Sequence, residues 1–213
     1  NHFAMISAFT LGIYISAVGG YLWPGAVMMA WAQYHNIAVG AHMAHHQSLF
    51  STGAANRWYM RWFSFILSGY DSRTYFYAHA QHHAFTNMVD KDMGLQTGLV
   101  VWHPEHLFEN HPEFLLRFQF LFWWPQGAFV AWLMVIATFA NLFPFLANLS
   151  YINLSDNRKQ ISPSPLGAVL FMARNLSFVY FFGFPLFALS TTMQSLWGVF
   201  CGGSAHYDCE KID

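Results

Sequence analysis

Two short stretches of the sequence, AHMAHHQ and AHAQHH, repeat one histidine pattern. Each carries histidines at positions i, i+3 and i+4, so that three imidazoles share one face of a helix. Neutral imidazole is the commonest metal ligand near pH 7. Each stretch therefore predicts a metal-binding helix face, against the simpler interpretation of a polar patch on an exposed helix. The six residues are His42, His45, His46, His79, His82 and His83.

A seventh histidine, His206, follows the last apolar run of the chain. Counting the predicted membrane crossings returns it to the side on which both histidine stretches lie. Seven imidazoles exceed what one metal ion needs but suit two ions. Few carboxylates lie nearby, so the site is rich in nitrogen donors, which allows zinc, copper, iron or nickel. Ligand type alone does not choose among these metals.

The composition predicts that these elements fold in a membrane. Hydrophobic residues make up 55% of the chain and charged residues only 9%, against roughly 25% charged residues in a soluble domain. Aromatic residues reach 20%, and they are typical of membrane interfaces. The net charge of −1 excludes a basic surface for nucleic acid. The spacing of Cys201 and Cys209 predicts neither a disulfide framework nor a zinc knuckle.

Uncharged apolar runs predict an all-α integral membrane protein with about four transmembrane helices plus interfacial helices. A span needs about 20 apolar residues, and the first two runs meet at Pro24, which suits a tight hairpin. The segment WFSFILSGY is too short to cross and predicts an interfacial or re-entrant helix within residues 57–83. The predicted spans are residues 3–23, residues 24–40, residues 126–146 and the middle part of residues 166–200.

A re-entrant helix leaves both histidine stretches on one side of the membrane. That side carries more Lys and Arg than the other, which places the histidines on the cytoplasmic face. Arg174 is assigned to neither side in this count. Arg174 and Asn175 are costly deep in hydrocarbon, which limits the last span to the middle part of residues 166–200. The basic residues counted on the histidine side are Arg57, Arg61, Arg73, Lys91 and Arg117, against Arg158 and Lys159.

The stretches GAHMAHHQSLF and AHAQHHAFTNMVDKDMG resemble the first and second histidine boxes of the membrane-bound fatty acid desaturase family, of the acyl-lipid and front-end type. GGSAHYD resembles the site after the fourth span, where the family places a further iron-ligating histidine. Residues 1–213 then correspond to a partial desaturase domain, truncated at both ends. Met43 and Ala80 stand where the family often has Asp and Asn. The family's third box is expected beyond Asp213, so the chain as given is expected to lack part of its metal site and to be inactive alone.

The resemblance implies a membrane oxidoreductase that introduces a double bond into a lipid acyl chain, with two iron ions in a di-iron centre. It implies the seven histidines as metal ligands, with no catalytic residue beyond them. An external electron donor, a cytochrome b-type protein or a ferredoxin, would reduce the irons. The implied location is the endoplasmic reticulum in a eukaryote, otherwise the plasma or thylakoid membrane. Candidate acceptors behind the ligands are Asp71, Asn87, Asp90 and Asp92.

Two alternatives stay open at this point. A related di-iron lipid hydroxylase or alkane monooxygenase uses the same kind of site, although the continuation T-N-x-x-D-x-D favours a desaturase. A non-catalytic membrane metal-binding or transport homologue would place its ligands within the spans along a path. The histidines here lie at span ends instead, which favours the enzyme.

Overall fold

The computed structural model describes residues 2–69, 83–86 and 165–198, together with residues 80, 114, 117, 118, 121, 128, 132 and 135. Within these residues every regular element is helical, which confirms the predicted all-α class for the described part of the chain. The predicted span of residues 126–146 lies almost wholly outside the described residues. The elements are α1 His2–Ala17, α2 Leu22–His35, a π-helix π1 Asn36–Ala41, α3 His42–His45, α4 Gly53–Trp58, a second π-helix π2 Tyr59–Phe63, α5 Ser64–Ser68, α6 Pro165–Phe182 and α7 Phe184–Trp197.

Helices α1 and α2 form the predicted hairpin, but the break comes earlier than Pro24. The helix ends before a pair of glycines, and Gly20 adopts a φ of +73°, which glycine reaches without steric cost. Pro24 instead lies in the first turn of α2, where a missing N–H leaves no bond unmade. The two helices approach closely, since a Cβ on Gly12 would lie 2.6 Å from the carbonyl oxygen of Gly25.

Elements α2, π1 and α3 follow one another without a break, and α4, π2 and α5 return beside them. The return begins at Thr52, whose side chain accepts a hydrogen bond from the Ala55 N–H at 3.3 Å and so caps α4. Its direction is antiparallel, because Tyr59 lies near Gly40 whereas Leu67 lies near Gln33. The predicted re-entrant helix is therefore a helix that begins at Gly53, earlier than expected.

The single span expected within residues 166–200 is instead two helices, α6 and α7, bent by 119° at Gly183. Gly183 has a φ of +86°, and Pro185 at the start of α7 has no N–H to continue the preceding helix. Helix α6 runs antiparallel to α2, because Phe171 packs on Phe65 while Phe178 joins the cluster around Met29.

An apolar core joins α1, α2, α6 and α7 at the end away from the histidines. Phe9, Ile13 and Trp132 pack around it. In the described residues, no helix taken singly has both the length and the apolar composition for a crossing, whereas the bent pair α6 and α7 meets both tests together. Helix α1 is apolar but shorter. The buried members of the core are Ala26, Met29, Phe178, Leu186 and Phe187.

Candidate metal centre

The first histidine box occupies the last turn of a helix, and the hydrogen bonds of that turn hold it closed. The N–H of Ser48 donates to the Met43 carbonyl at 2.9 Å, and the N–H of Gln47 donates to the Ala44 carbonyl at 3.1 Å. This pair of bonds is the Schellman arrangement, which satisfies carbonyls at a helix end. Gln47 takes the left-handed position with a φ of +58°, where glycine is usual. The turn that carries the three imidazoles is therefore fixed at some cost in backbone strain.

A π-helical segment precedes the box directly. A π turn holds one residue more than an α turn, so it rotates whatever follows by about 100° around the helix axis. In π1 the fully buried Asn36 is anchored by its side chain, and Gly40 faces the Tyr59 hydroxyl so closely that a Cβ would not fit. These contacts hold the widened turn in place. The face on which His42 and His46 stand depends on that turn.

Three of the histidines predicted as ligands meet at the end of this helix. The ligand nitrogens of His42, His46 and His83 all lie within 4.8 Å of one another. His46 Nε2 and His42 Nε2 are 3.1 Å apart. The ring of His83 stacks on that of His42 at 6.1 Å and meets the edge of His46 at 4.9 Å. One histidine of the second box therefore meets two of the first box, and one ion could contact all three imidazoles.

His45 stands beside this group, half-buried, with its ring 5.4 Å from that of His46. Burial lowers the pKa of His45, and the neighbouring His46, His42 and His83 lower it further. A lowered pKa keeps the imidazole neutral near pH 7, which is the form that binds a metal. The remaining predicted ligands, His79, His82 and His206, lie outside the described residues, as do Asp71, Asn87, Asp90 and Asp92.

The second box is described around His83. His83 and Ala84 are helical, and the hydroxyl of Thr86 donates to the His83 carbonyl at 3.5 Å. His35 precedes the first box in the sequence. Its Nδ1 lies 3.0 Å from the Trp31 carbonyl oxygen, and its ring packs on that of Trp31 at 4.3 Å. These contacts of His35 are accordingly with a residue of its own helix.

Sequence reasoning missed a buried polar network between α2 and the returning helix. Asn36 Nδ2 donates to the Ser64 carbonyl at 3.2 Å and lies within hydrogen-bond distance of the hydroxyls of Ser64 and Ser68. The Tyr59 hydroxyl donates to Asn36 Oδ1 at 2.8 Å, and His2 Nδ1 lies 3.3 Å from the same hydroxyl. The signal was present, since a buried amide needs partners.

A second polar contact lies at the end of α5. Arg174 and Asn175 of α6, which the sequence marked as costly in hydrocarbon, donate to backbone carbonyls of residues 66, 67 and 69. Gln33 Nε2 donates to the Leu67 carbonyl at 3.2 Å, while Gln33 Oε1 is buried without a hydrogen-bond partner among the described residues. Every one of these side chains holds the returning helix, whose continuation carries the second box.

The described residues thus define a helical protein with a nitrogen-rich candidate metal centre. A family model, Fatty acid desaturase, matches residues 20–207. The chain belongs to the fatty acid desaturase family, which confirms the resemblance of the histidine boxes. Neither a curated protein nor a solved structure gives a significant match. Membership of this family indicates oxidoreductase activity in lipid metabolism, as a desaturase or a related oxygenase, and it implies the use of iron.

Proposed function

We propose that this protein introduces a double bond into a lipid acyl chain, using two iron ions and dioxygen. The single observation that carries the proposal is the convergence of His42, His46 and His83, contributed by both histidine boxes, in a chain of the desaturase family. An acyl chain offers only unactivated methylene carbons, from which no protein side chain can remove hydrogen. When bound, the iron centre would supply the activation of dioxygen for that step.

The donor set of the site suits iron. Imidazole is a ligand for zinc, copper, iron and nickel, and the family's use of iron favours iron among them. His42, His46 and His83 would hold one ion, and His45, kept neutral by its surroundings, stands next to them. The further ligands in the proposal are His79, His82 and His206.

The chain's own residues contribute positioning. The closed turn at Gln47 and the widened turn at Asn36 fix the rotation and the end of the helix that carries the first box. A metal site on rigid elements keeps its ligands in place without reorganisation. We assign the reducing electrons to an external donor protein, since a desaturase takes its electrons from outside the metal site.

The outer surface supports a lipid environment for the substrate. Phe3 and Tyr180 are 82% and 83% exposed, and Phe181 is 69% exposed. Large apolar side chains at such exposure on several helices form the kind of surface that marks contact with lipid. This surface supports our proposal that the protein lies in a membrane, and the bias of Lys and Arg in the sequence favours the cytoplasmic face for the histidines.

The proposal is tested by expressing the full-length protein in a host and analysing its lipids and its bound iron. We expect a new double bond in host acyl chains and two irons per chain. In His83→Ala both are expected to be lost, since an outer-shell or ligand change costs metal affinity by about tenfold or more. His35→Ala is the matched control because His35 bonds to its own helix. A hydroxylated product would instead identify a lipid hydroxylase, and full iron content in His83→Ala would remove His83 from the site.

A further inference from the structure

The carbonyl end of α5 lies inside the protein and is bonded by another helix. The last carbonyls of a helix have no partner within it. Arg174 Nε donates to the Ile66 carbonyl at 3.0 Å, and Arg174 Nη2 donates to the Leu67 carbonyl at 3.0 Å. Asn175 Nδ2 donates to the Gly69 carbonyl at 3.0 Å. Two adjacent side chains of α6 therefore satisfy the end of a helix more than 100 residues earlier in the sequence.

The charge of Arg174 is stabilised by backbone dipoles. None of the described residues is an aspartate or a glutamate, so the described part of the chain offers this guanidinium no carboxylate. The negative end of the α5 dipole favours a cation at this point. Asn175 Oδ1 accepts from Nη1 at 2.8 Å, and the Phe178 ring lies 5.2 Å below the guanidinium. The fork of Arg174 is thus fixed in orientation by carbonyls, an amide and a ring.

The backbone at the end of α5 is constrained at Gly69. Gly69 takes the left-handed conformation with a φ of +76°. A Cβ at this position would lie 2.6 Å from Arg174 Nη1 and 3.0 Å from Asn175 Oδ1. The glycine is therefore required both by its dihedral angle and by the closeness of α6. In the sequence, the second histidine box begins at His79, ten residues after Gly69.

The same helix end is also tied to the helix of the first box. Gln33 Nε2 donates to the Leu67 carbonyl, which thus accepts hydrogen bonds from α2 and from α6. Below it, Asn36 bonds to Ser64 and Ser68. The position of Gly69, after which the sequence continues toward the second box, is accordingly fixed relative to α2, which continues through π1 into the helix of the first box.

We propose that Arg174 and Asn175 are positioning residues for the metal centre. They hold the carbonyl end of α5 against α2, so that the chain leaving Gly69 brings His83 to His42 and His46. The inference rests on the proposed function only in taking these histidines as the metal site. Its geometrical part, the dependence of the distance between the boxes on Arg174, stands without any metal.

The test measures that distance directly. Met43 and Ala84 are exposed neighbours of His42 and His83, and Met43→Cys with Ala84→Cys, in a background of Cys201→Ser and Cys209→Ser, allows spin labels at both positions. In the full-length protein in detergent we expect a narrow distance distribution, and in Arg174→Gln a broad one. Arg61→Gln, which removes an exposed arginine of the returning helix, is the matched control and is expected to keep the narrow distribution.

The second readout is the affinity for Co²⁺ added to metal-free protein. Arg174→Gln is expected to bind Co²⁺ about tenfold more weakly, with helical circular dichroism retained. Arg174→Lys is expected to recover part of the affinity, since an ammonium reaches a carbonyl but lacks the planar fork. If Arg174→Gln does not fold, Asn175→Ala, which loses the bond to the Gly69 carbonyl and the bond from Arg174 but keeps the arginine, is measured in the same way.

The outcomes separate the two proposals. An unchanged distance distribution with a lower thermal midpoint would mean that Arg174 only stabilises the fold, and the positioning inference would be overturned. A wild-type protein that binds no Co²⁺, while its labels converge and Arg174→Gln spreads them, would overturn the metal site and uphold the positioning. Loss of both convergence and affinity in Arg174→Gln, with Arg61→Gln unaffected, is the result that we expect.

Discussion

Helix α2 continues through π1 and α3, and different forces hold the two halves of this continuous helix. Toward Leu22 the helix packs through apolar side chains and close backbones, with Met29 fully buried and Gly12 against Gly25. Toward the histidines it is held by hydrogen bonds from Asn36 and Gln33 to the returning helix. Apolar packing is non-directional and tolerates small shifts, whereas a buried hydrogen bond fixes rotation and register. The half that carries the candidate metal centre is therefore the half that is fixed in register.

The largest effect is expected from Asn36→Leu, which breaks the polar half of the comparison. The change leaves the hydroxyls of Tyr59, Ser64 and Ser68 buried without their shared partner. At 1–3 kcal/mol for each unsatisfied group, we expect a loss of about 4 kcal/mol in the free energy of unfolding. Denaturant unfolding in detergent measures this loss, and Co²⁺ titration of the remaining folded protein is expected to show weaker binding.

The control for that prediction is Val39→Ala, because Val39 is 46% exposed on the same π-helix. It is expected to change the free energy of unfolding by less than about 0.5 kcal/mol, as exposed substitutions usually do. If Asn36→Leu left both stability and Co²⁺ affinity as in the wild type, the polar half would have no special role in fixing the register.

Met29→Ala breaks the apolar half. Met29 is fully buried in the core shared by α2, α6 and α7, so truncation removes apolar contact and leaves a cavity. We expect a loss of about 3 kcal/mol in the free energy of unfolding. Unlike Asn36→Leu, folded Met29→Ala is expected to bind Co²⁺ with the affinity of the wild type. A matching loss of Co²⁺ affinity would show that the two halves are coupled, and that the polar half does not hold the histidines independently of the apolar half.

The features that the sequence predicted are those set by local spacing, whereas contacts between distant residues were not predicted. The i, i+3, i+4 spacing within each box pointed to histidines on one helix face, and the structure brings His42, His46 and His83 together. The bonds of Arg174 to the end of α5 could not be predicted, since they join residues 107 and 108 positions apart and leave no periodic pattern. The two π-helices were also invisible, because one extra residue in an apolar run changes no composition.

A signal for the bend at Gly183 was present and was passed over. The sequence F-G-F-P places a glycine and a proline two residues apart, and the pair ends one helix and begins another. The hydropathy of residues 166–200 outweighed it, because an apolar run of that length suggests one span. Pro185 has no N–H with which to continue a helix, so giving it more weight than the hydropathy would have predicted the break.

Tyr59→Phe measures how much of the stability of the polar half depends on a single hydroxyl. The change removes one hydroxyl and leaves the ring, which packs on Phe63 at 4.9 Å. Asn36 Oδ1 loses its donor, whereas the bonds from Asn36 Nδ2 to the returning helix remain. We expect a loss of about 1.5 kcal/mol in the free energy of unfolding, well below that of Asn36→Leu. An equal loss in the two variants would assign the whole effect to Tyr59.

The smallest effect is expected from Gln47→Gly, at the turn that closes the first box. Gln47 adopts a φ of +58°, which costs a residue with a side chain about 1 kcal/mol relative to glycine. The substitution removes that strain but also loses the bond from Gln47 Nε2 to the Ala44 carbonyl, which at 3.3 Å is long. We expect a net gain of about 0.5 kcal/mol in the free energy of unfolding.

Gln47→Ala separates the two contributions, because it loses the same bond and keeps the strain. It is expected to be less stable than the wild type, and the difference between the two variants gives the cost of the left-handed turn. If the strained turn serves the metal centre, Gln47→Gly gains stability while binding Co²⁺ more weakly, since a more flexible chain holds the last turn less firmly. A variant that gained both stability and affinity would show that the strain at Gln47 does nothing for the site.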